Sequence, residues 1–542
     1  MEASGHSQVA GIHDLGAAVF ARTAARNPFG GQRLFASAST LVNLMEGLCA
    51  TLVQYQMFFQ MILVLGIGGS LPVGYQISAI NSPSVYIKKF MNETWFERTG
   101  SSLHEKTLLF LWSVIVSIYG VGGFMGCVFS GFLTVKFGKK KSLLGTDLLI
   151  LVTALLVGLS KRAKSFEMIL IGRFLFGVSA GFCMTIHPQY AGEISTKKLR
   201  GFANATSGFF WSLGKSLGQI LGLRELLGTE SSWPWLLASI GAIALLHLLA
   251  LPFFPESPPY LLIQKGDEGG CLKAMHQLWG PGDHQEELSD LKKERDTGCN
   301  TLSAGELLRN GGLRRQLHIL VAIILTLQLS GINAVYFYAF EVFRNAGLEE
   351  DLIPYMALGI GFCELASSLL CIFAIERFGR RPLLWKGCGM MAAMLLLLTV
   401  TLSVQNTFHW MSHCSIIMVF LFVVFFGIGP SGATMSVMME IFSQSSRPAA
   451  FMIGGCLNWA GLFVVGITFP FAVESLGPFC FFIFMFVLVG TSMFFYMFLP
   501  ETKGKSVIEI TEEFSTQPPF GKKLASLLRR DFHEDHSVYT NF

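Results

Sequence analysis

Charge is what this chain has least of. Only 14% of its 542 residues are Asp, Glu, Lys or Arg, whereas soluble domains carry about a quarter. That shortage excludes an ordinary soluble domain. The net charge is only +4, and no nucleic-acid partner is expected. The 11 cysteines show neither metal-ligand nor disulfide spacing. Most sit inside apolar runs, as Cys127, Cys183, Cys363, Cys371 and Cys456 do, and read as small core residues. Also absent are a phosphate loop, a cluster of zinc ligands and a nucleophile elbow. His187, just before Pro188, reads as a helix-end histidine. No enzyme activity and no cofactor are expected.

What is abundant is apolar sequence, 52% of the chain. Runs long enough to cross a bilayer recur near 57–77, 108–133, 143–160, 167–187, 204–223 and 233–254. A second set follows near 317–342, 353–375, 383–404, 414–439, 449–473 and 479–499. The expected fold is an all-α polytopic membrane protein, with twelve transmembrane helices in two six-helix bundles at 56–254 and 316–499. A charged linker with helical pattern, 255–315, joins them, and tails at 1–55 and 500–542 complete the chain. The lipid bilayer is the implied surrounding partner. The 57 glycines suit close helix contacts in lipid.

Charge placement sets the orientation. Lys136 and Lys139–Lys141, then Lys197, Lys198 and Arg200, then Arg377, Arg380 and Arg381, then Arg447, all follow even-numbered spans. They share one side if both termini are cytosolic. Lys161, Arg162 and Lys164 break this rule. With that orientation Asn92-Glu-Thr94 lies outside and reads as an N-glycosylation acceptor.

The two sets of spans repeat one another. The stretch from Lys136 to Lys141 resembles that from Glu376 to Pro382. Glu193 with Arg200 matches Glu440 with Arg447, and Pro255-Glu-Ser-Pro258 matches Pro500-Glu-Thr-Lys503. Each pair is about 245 residues apart. Two parallel repeats imply alternating access around a site at the midplane between the halves. The repeated acids and bases at one end of the bundle can form charge-assisted pairs that act as a gate. The alternative is that they are inside anchors, but a pure positive-inside signal needs no carboxylates, and the acid–base pairing favours the gate.

One stretch concentrates polarity where lipid would not want it: Gln328-Leu-Ser-Gly-Ile-Asn-Ala-Val-Tyr-Phe-Tyr338. Its amides would cost free energy unpaired in hydrocarbon, so they face helices or a wet cavity. They serve either as helix-to-helix glue or as contacts for a polyhydroxylated solute. Gln328 and Asn333 are about 140° apart on an ideal helix. They share a cavity only if the helix unwinds nearby, which Gly331 permits.

Several motifs together resemble the sugar porter family of the major facilitator superfamily. They are Gly172-Arg173 after Glu167, Pro188-Gln-Tyr-Ala-Gly-Glu193, Pro255-Glu-Ser-Pro258, Gln328-Leu-Ser-Gly-Ile-Asn333, Glu376-Arg-Phe-Gly-Arg-Arg381 and Pro500-Glu-Thr-Lys-Gly504. Glu364 and Met435 resemble the class II, fructose- and glucose-type branch of its hexose transporters. The resemblance implies facilitative movement of a hexose across the plasma membrane. It implies substrate contacts at Gln219, Gln328, Asn333, Glu364, Asn458 and Trp459, and an outer gate at Tyr336 and Phe337. The gate of charges would comprise Glu193, Arg200, Glu376, Arg380, Arg381, Glu440 and Arg447.

The chain departs from the family pattern at Leu327 and Gly208, where glutamines are usual. It departs again at Pro259, Lys139 and Lys140, where arginines are usual. An altered contact set and a weaker first-half gate are expected. In proton-coupled members an aspartate follows Gly-Tyr in the first span. Here Gly74-Tyr75 is followed by Gln76, which cannot titrate, so uniport is expected. A symporter using Glu364, a urate-like organic-anion carrier and a non-transporting sensor are the alternatives.

Overall fold

The structure is a computed structural model. It describes residues 55–516, apart from 197–198, 297–301, 338–342, 345–346, 350, 405–406, 409, 444–445 and 506. The side chains of Arg200, Phe337 and Glu376 lie outside the described residues, and so do the roles expected of them.

The described residues are helical, with no strand. Twelve long helices stand in chain order. The first six are Gln56–Ser78, Glu105–Phe137, Lys139–Leu159, Glu167–Ile194, Arg200–Leu221 and Trp233–Phe253. The second six are Gly311–Tyr336, Ile353–Phe378, Arg380–Val404, Trp410–Ile441, Arg447–Leu476 and Phe481–Phe498. Ten stretches are long and apolar enough to cross a membrane, and Arg447–Phe498 holds two of the helices in one. The fifth helix is not among the ten. It carries Ser207, Ser212, Lys215, Ser216 and Gln219, all buried, so its polarity faces protein and not lipid.

Between the halves run three short helices, Glu268–Trp279, Gln285–Asp296 and Ala304–Arg309. Asp267 caps the first of these by accepting from the Gly270 N–H at 2.8 Å. Ser303 and Glu306 form a reciprocal capping box on the last. The Trp279 indole N–H donates to the Ile194 carbonyl at 2.9 Å, which fastens the linker to the end of the fourth span.

Small residues bring the second and fourth spans into contact. The Gly122-x-x-x-Gly126 and Gly177-x-x-x-Gly181 steps meet each other. A Cβ on Gly177 would fall 2.2 Å from the Tyr119 carbonyl oxygen. Such backbone-to-backbone approach is how helices associate where lipid removes the hydrophobic drive.

The internal repeat reappears as matched geometry at the basic end of the bundle. Gly138 and Gly379 join consecutive spans with φ of 85° and 84°, a left-handed turn that favours glycine. Behind each turn sits a carboxylate. Glu256 accepts from the Lys140 N–H at 3.2 Å, and Glu501 accepts from those of Arg380 and Arg381 at 3.0 and 3.2 Å. Each acid therefore caps a helix N-terminus, where the dipole favours negative charge. Next to each cap an ion pair joins two spans of the same half. Lys139 Nζ lies 2.6 Å from both Glu193 oxygens, and Arg380 Nη2 lies 2.8 Å from Glu440.

Two of the three bases that break the charge pattern are answered at the opposite end. Lys164 pairs with Glu97 at 2.8 Å, and Lys161 donates to the Glu230 carbonyl at 2.6 Å. Glu97 belongs to the helix Ser84–Thr99, whose Arg98 pairs with Glu167 at 2.5 Å. With Lys161 and Lys164 held in this way, these bases are a weak exception to the topology signal.

Candidate functional site

The seventh span breaks where its polar residues cluster. Its helix runs Arg314–Leu329, turns at Gly331 with φ of 90°, and resumes as Ile332–Phe337. The break rotates Asn333 towards Gln328, and Asn333 Nδ2 donates to Gln328 Oε1 at 2.7 Å. Gln328 Nε2 in turn donates to Asn458 Oδ1 on the eleventh span. Asn458 Nδ2 reaches Met184 Sδ of the first half at 3.8 Å. All three amides are buried. An amide has four hydrogen-bonding positions, and these contacts use at most two on each. The remainder suit a solute whose hydroxyls both donate and accept.

Trp459, next in the chain, is fully buried at the seam between the halves. Its ring meets Tyr119 edge-on at 5.3 Å and occupies the space that a Cβ on Gly123 would need. The aromatic wall beside the amides is therefore built from both halves.

The short helix after the break also carries Tyr336, one turn beyond Asn333 and on the same face. The Tyr336 hydroxyl donates to Glu364 of the eighth span. Glu364 is not alone in the membrane interior. Lys215 Nζ of the fifth span lies 2.8 and 3.0 Å from its two oxygens. The same ammonium stands 4.1 Å from the centre of the Tyr336 ring. Side-chain exposure is 5% for Lys215 and 2% for Glu364, so the pair is shielded from water. It joins the first half to the second.

The sequence reading singled out Glu364 and missed Lys215. The available signal was a lone lysine between Gly214 and Ser216 within a spanning run, and an ionisable group at that depth is a functional candidate by default. Gln219 sits one turn further along the same helix face. Its Oε1 is buried without a hydrogen-bond partner among the described residues and faces Gly361 of the eighth span. Gln219 also lines a cleft of about 180 Å³ with Ser78, Asn81, Tyr86, Arg224 and Ile353. The structure thus brings Gln328, Asn333 and Asn458 into one hydrogen-bonded group. Glu364 and Tyr336 form a second group with Lys215, and Gln219 lies beside the cleft.

The two ends of the bundle differ. At the basic end the Lys139–Glu193 and Arg380–Glu440 pairs each lie within one half. Arg381 there donates to the Tyr496 carbonyl, and Arg447 to those of Met439 and Phe442 at 2.8 and 3.2 Å. At the opposite end, besides the contacts within the first half, others cross between the halves. Asn81 donates to the Tyr336 carbonyl, Arg224 pairs with Asp351, and the Tyr355 hydroxyl donates to Glu225 at 2.5 Å.

Residues 61–514 match the family described as "Sugar (and other) transporter". The chain belongs to that sugar transporter family. It is 43% identical to human solute carrier family 2, facilitated glucose transporter member 11, over 85% of this chain and 94% of the relative. Mouse member 5 is 40% identical over 84% of this chain and 91% of its own. Mouse member 9 is 40% identical over 84% and 86%. Among solved structures, the proton:xylose symporter XylE bound to 6-bromo-6-deoxy-D-glucose superposes with a TM-score of 0.70 at 22% identity. That match covers 84% of this chain and 99% of the symporter. XylE from E. coli in a partially occluded inward-open conformation also scores 0.70. At that identity the likeness is one of fold. It places this sugar transporter's twelve helices in the major facilitator arrangement.

Proposed function

We propose that this chain carries a hexose, fructose or glucose, passively across the plasma membrane by alternating access between its two halves. The observation that carries this reading is the buried amide group of Gln328, Asn333 and Asn458 beside Trp459, at the seam of the halves. It offers donors and acceptors next to an aromatic face, the pairing a sugar ring requires. Its relatives are named as facilitated glucose transporters.

Uniport is supported by two features. Gln76, where a titratable acid would couple protons, is an amide. Glu364, the remaining intramembrane acid at the seam, is already matched by Lys215. That match equally removes the net positive charge an organic anion would seek. The basic end is taken as cytosolic on the placement of its lysines and arginines. Asn92 then faces outside. Its Oδ1 accepts from the Leu103 N–H at 2.9 Å, and Nδ2 is the atom a glycan would take.

The test is uptake of labelled fructose and glucose by the full-length protein in proteoliposomes, with and without an imposed pH gradient. Equilibration of one or both sugars, unchanged by the gradient, is the expected result. Uphill accumulation driven by protons would overturn uniport, and no saturable uptake of either sugar would overturn the hexose reading.

The contacts that cross between halves at the outer end form a latch that must open in each cycle. Its Arg224–Asp351 and Tyr355–Glu225 pairs are exposed, so each is weak. Arg224→Ala is expected to raise labelling of an outer-cleft cysteine by an impermeant thiol reagent a few-fold, with little change in stability. The Tyr355 hydroxyl, hydrogen-bonded to Glu225, holds that carboxyl below its ordinary range. A lowered acid pKa means the contact persists as pH falls through the usual carboxylate range and is lost only below it. Labelling should therefore stay constant as external pH drops from about 7 to about 4, through the ordinary glutamate range. A rise centred on the ordinary glutamate range would remove Glu225 from the latch.

A further inference from the structure

The family resemblance groups Gln219 with the amides of Gln328, Asn333 and Asn458. The structure puts a closed layer between them. Lys215, Glu364 and Tyr336 make that layer, and all three are buried. The amides lie on its inner side, since Asn333 comes one turn before Tyr336 on a span that runs outwards. Gln219 lies on its outer side. It follows Lys215 by one turn on the fifth span, and its Oε1 faces Gly361, one turn outwards of Glu364 on the eighth.

Beyond the layer, at the outer end, is the cleft that Gln219 lines. Its volume of about 180 Å³ is some six times the ~30 Å³ that liquid gives a water, room on the scale of one sugar ring with its hydroxyls. The wall comes from both halves, with Asn81, Tyr86, Gln219 and Arg224 from the first and Ile353 and Ala357 from the second. Its polar groups are not used up by the protein. Gln219 makes no hydrogen bond among the described residues, and with Oε1 closed against Gly361 its Nε2 is left for the cleft. The Tyr86 hydroxyl makes none either, and its ring supplies an aromatic face. Arg224 spends Nη1 on Asp351 and keeps the rest of its fork. Because Asp351 answers its charge, the cleft suits a neutral solute better than an anion.

We propose that this outer cleft is a second hexose site, filled from outside while the Lys215–Glu364–Tyr336 layer is closed. The identity of its ligand rests on the hexose reading above. Donors, a hydroxyl and a ring stand beside apolar wall, which is the mixture that hydroxyls and C–H faces need. Asn81 and Arg224 belong to the outer latch, and the second half closes the far wall. The site is therefore complete only while the outer end is shut, unlike a central site that loads when that end opens.

Val85 lines the same cleft with 52% of its surface exposed, so Val85→Cys is the reporter. The full-length protein is displayed at the cell surface. Labelling of the new cysteine by an impermeant maleimide is timed with external fructose or glucose, against a disaccharide as osmotic control. Labelling of the chain without the reporter sets the background. One or both hexoses should slow labelling a few-fold and saturably. The slowing should persist in Gln328→Ala, whose change lies beyond the layer, and should need several-fold more sugar in Gln219→Leu and Tyr86→Phe. No slowing by either hexose would overturn the proposal. Slowing that disappears in Gln328→Ala would do so as well, because the central amides would then be its source. So would slowing that is unchanged in both Gln219→Leu and Tyr86→Phe. Labelling reads occupancy without flux, so failure of the outer site leaves wild-type hexose uptake intact, whereas failure of the hexose reading shows as absent uptake.

Discussion

Glu364→Gln is expected to leave less than about a tenth of the wild-type uptake per transporter at the cell surface, since breaking a buried ion pair costs about 3–5 kcal/mol and each 1.4 kcal/mol is tenfold. Glutamine keeps the shape of glutamate and can still accept from the Tyr336 hydroxyl. What it removes is the countercharge to Lys215, whose ammonium then stays buried and unpaired at the seam. Both halves lose the contact that joins them, so the balance between the two access states shifts along with stability. Surface abundance is therefore measured together with uptake. The double variant Lys215→Met with Glu364→Gln removes the stranded charge as well. It is expected to regain surface abundance without regaining uptake, which separates a role in transport from a role in folding. Uptake by Glu364→Gln within twofold of wild type at equal abundance would make the pair dispensable.

Gln328→Ala is the second large effect. Gln328 stands in the middle of the amide chain, accepting from Asn333 and donating to Asn458. Its removal leaves one donor and one acceptor buried without their partners, at about 1–3 kcal/mol each. Uptake at matched surface abundance should fall by about ten- to a hundredfold, on the scale of 1.4 kcal/mol per decade. Asn333→Ala removes an end of the chain and strands only one group, so its loss should be the smaller. Equal uptake by both variants and the wild type would reduce these residues to packing. The order matters too, because a larger loss in Asn333→Ala would mean that Asn333 meets the solute more directly than Gln328 does.

Much of the architecture was legible because lipid constrains a chain so tightly. Apolar run lengths marked the spans, and basic loops marked one end. The matched acids and bases near Gly138 and Gly379 pointed to ion pairs at that end, while the capping of helix N-termini by Glu256 and Glu501 showed only in the fold. The site was legible in part. Gln328, Asn333 and Asn458 stood out as amides in apolar runs, and Gly331 as the point where the helix could turn between two of them. Lys215 did not stand out, since nothing in the order of residues connects it to a carboxylate 149 positions away. The layer that parts Gln219 from the central amides was also hidden. A sequence records which groups are present and says nothing of what stands between them.

The sequence by itself determined the solvent of this protein, its two-fold repeat and the kind of chemistry its interior can offer. These follow from hydropathy and spacing, which act locally along the chain. Only the tertiary structure decided which polar groups meet. It put Asn333 within reach of Gln328 through a left-handed turn at Gly331, matched Glu364 with Lys215 across the seam, and set that pair between Gln219 and the amides. In a medium that offers no water to unpaired groups, each such meeting depends on where whole helices pack, and that is settled by contacts between residues far apart in the chain.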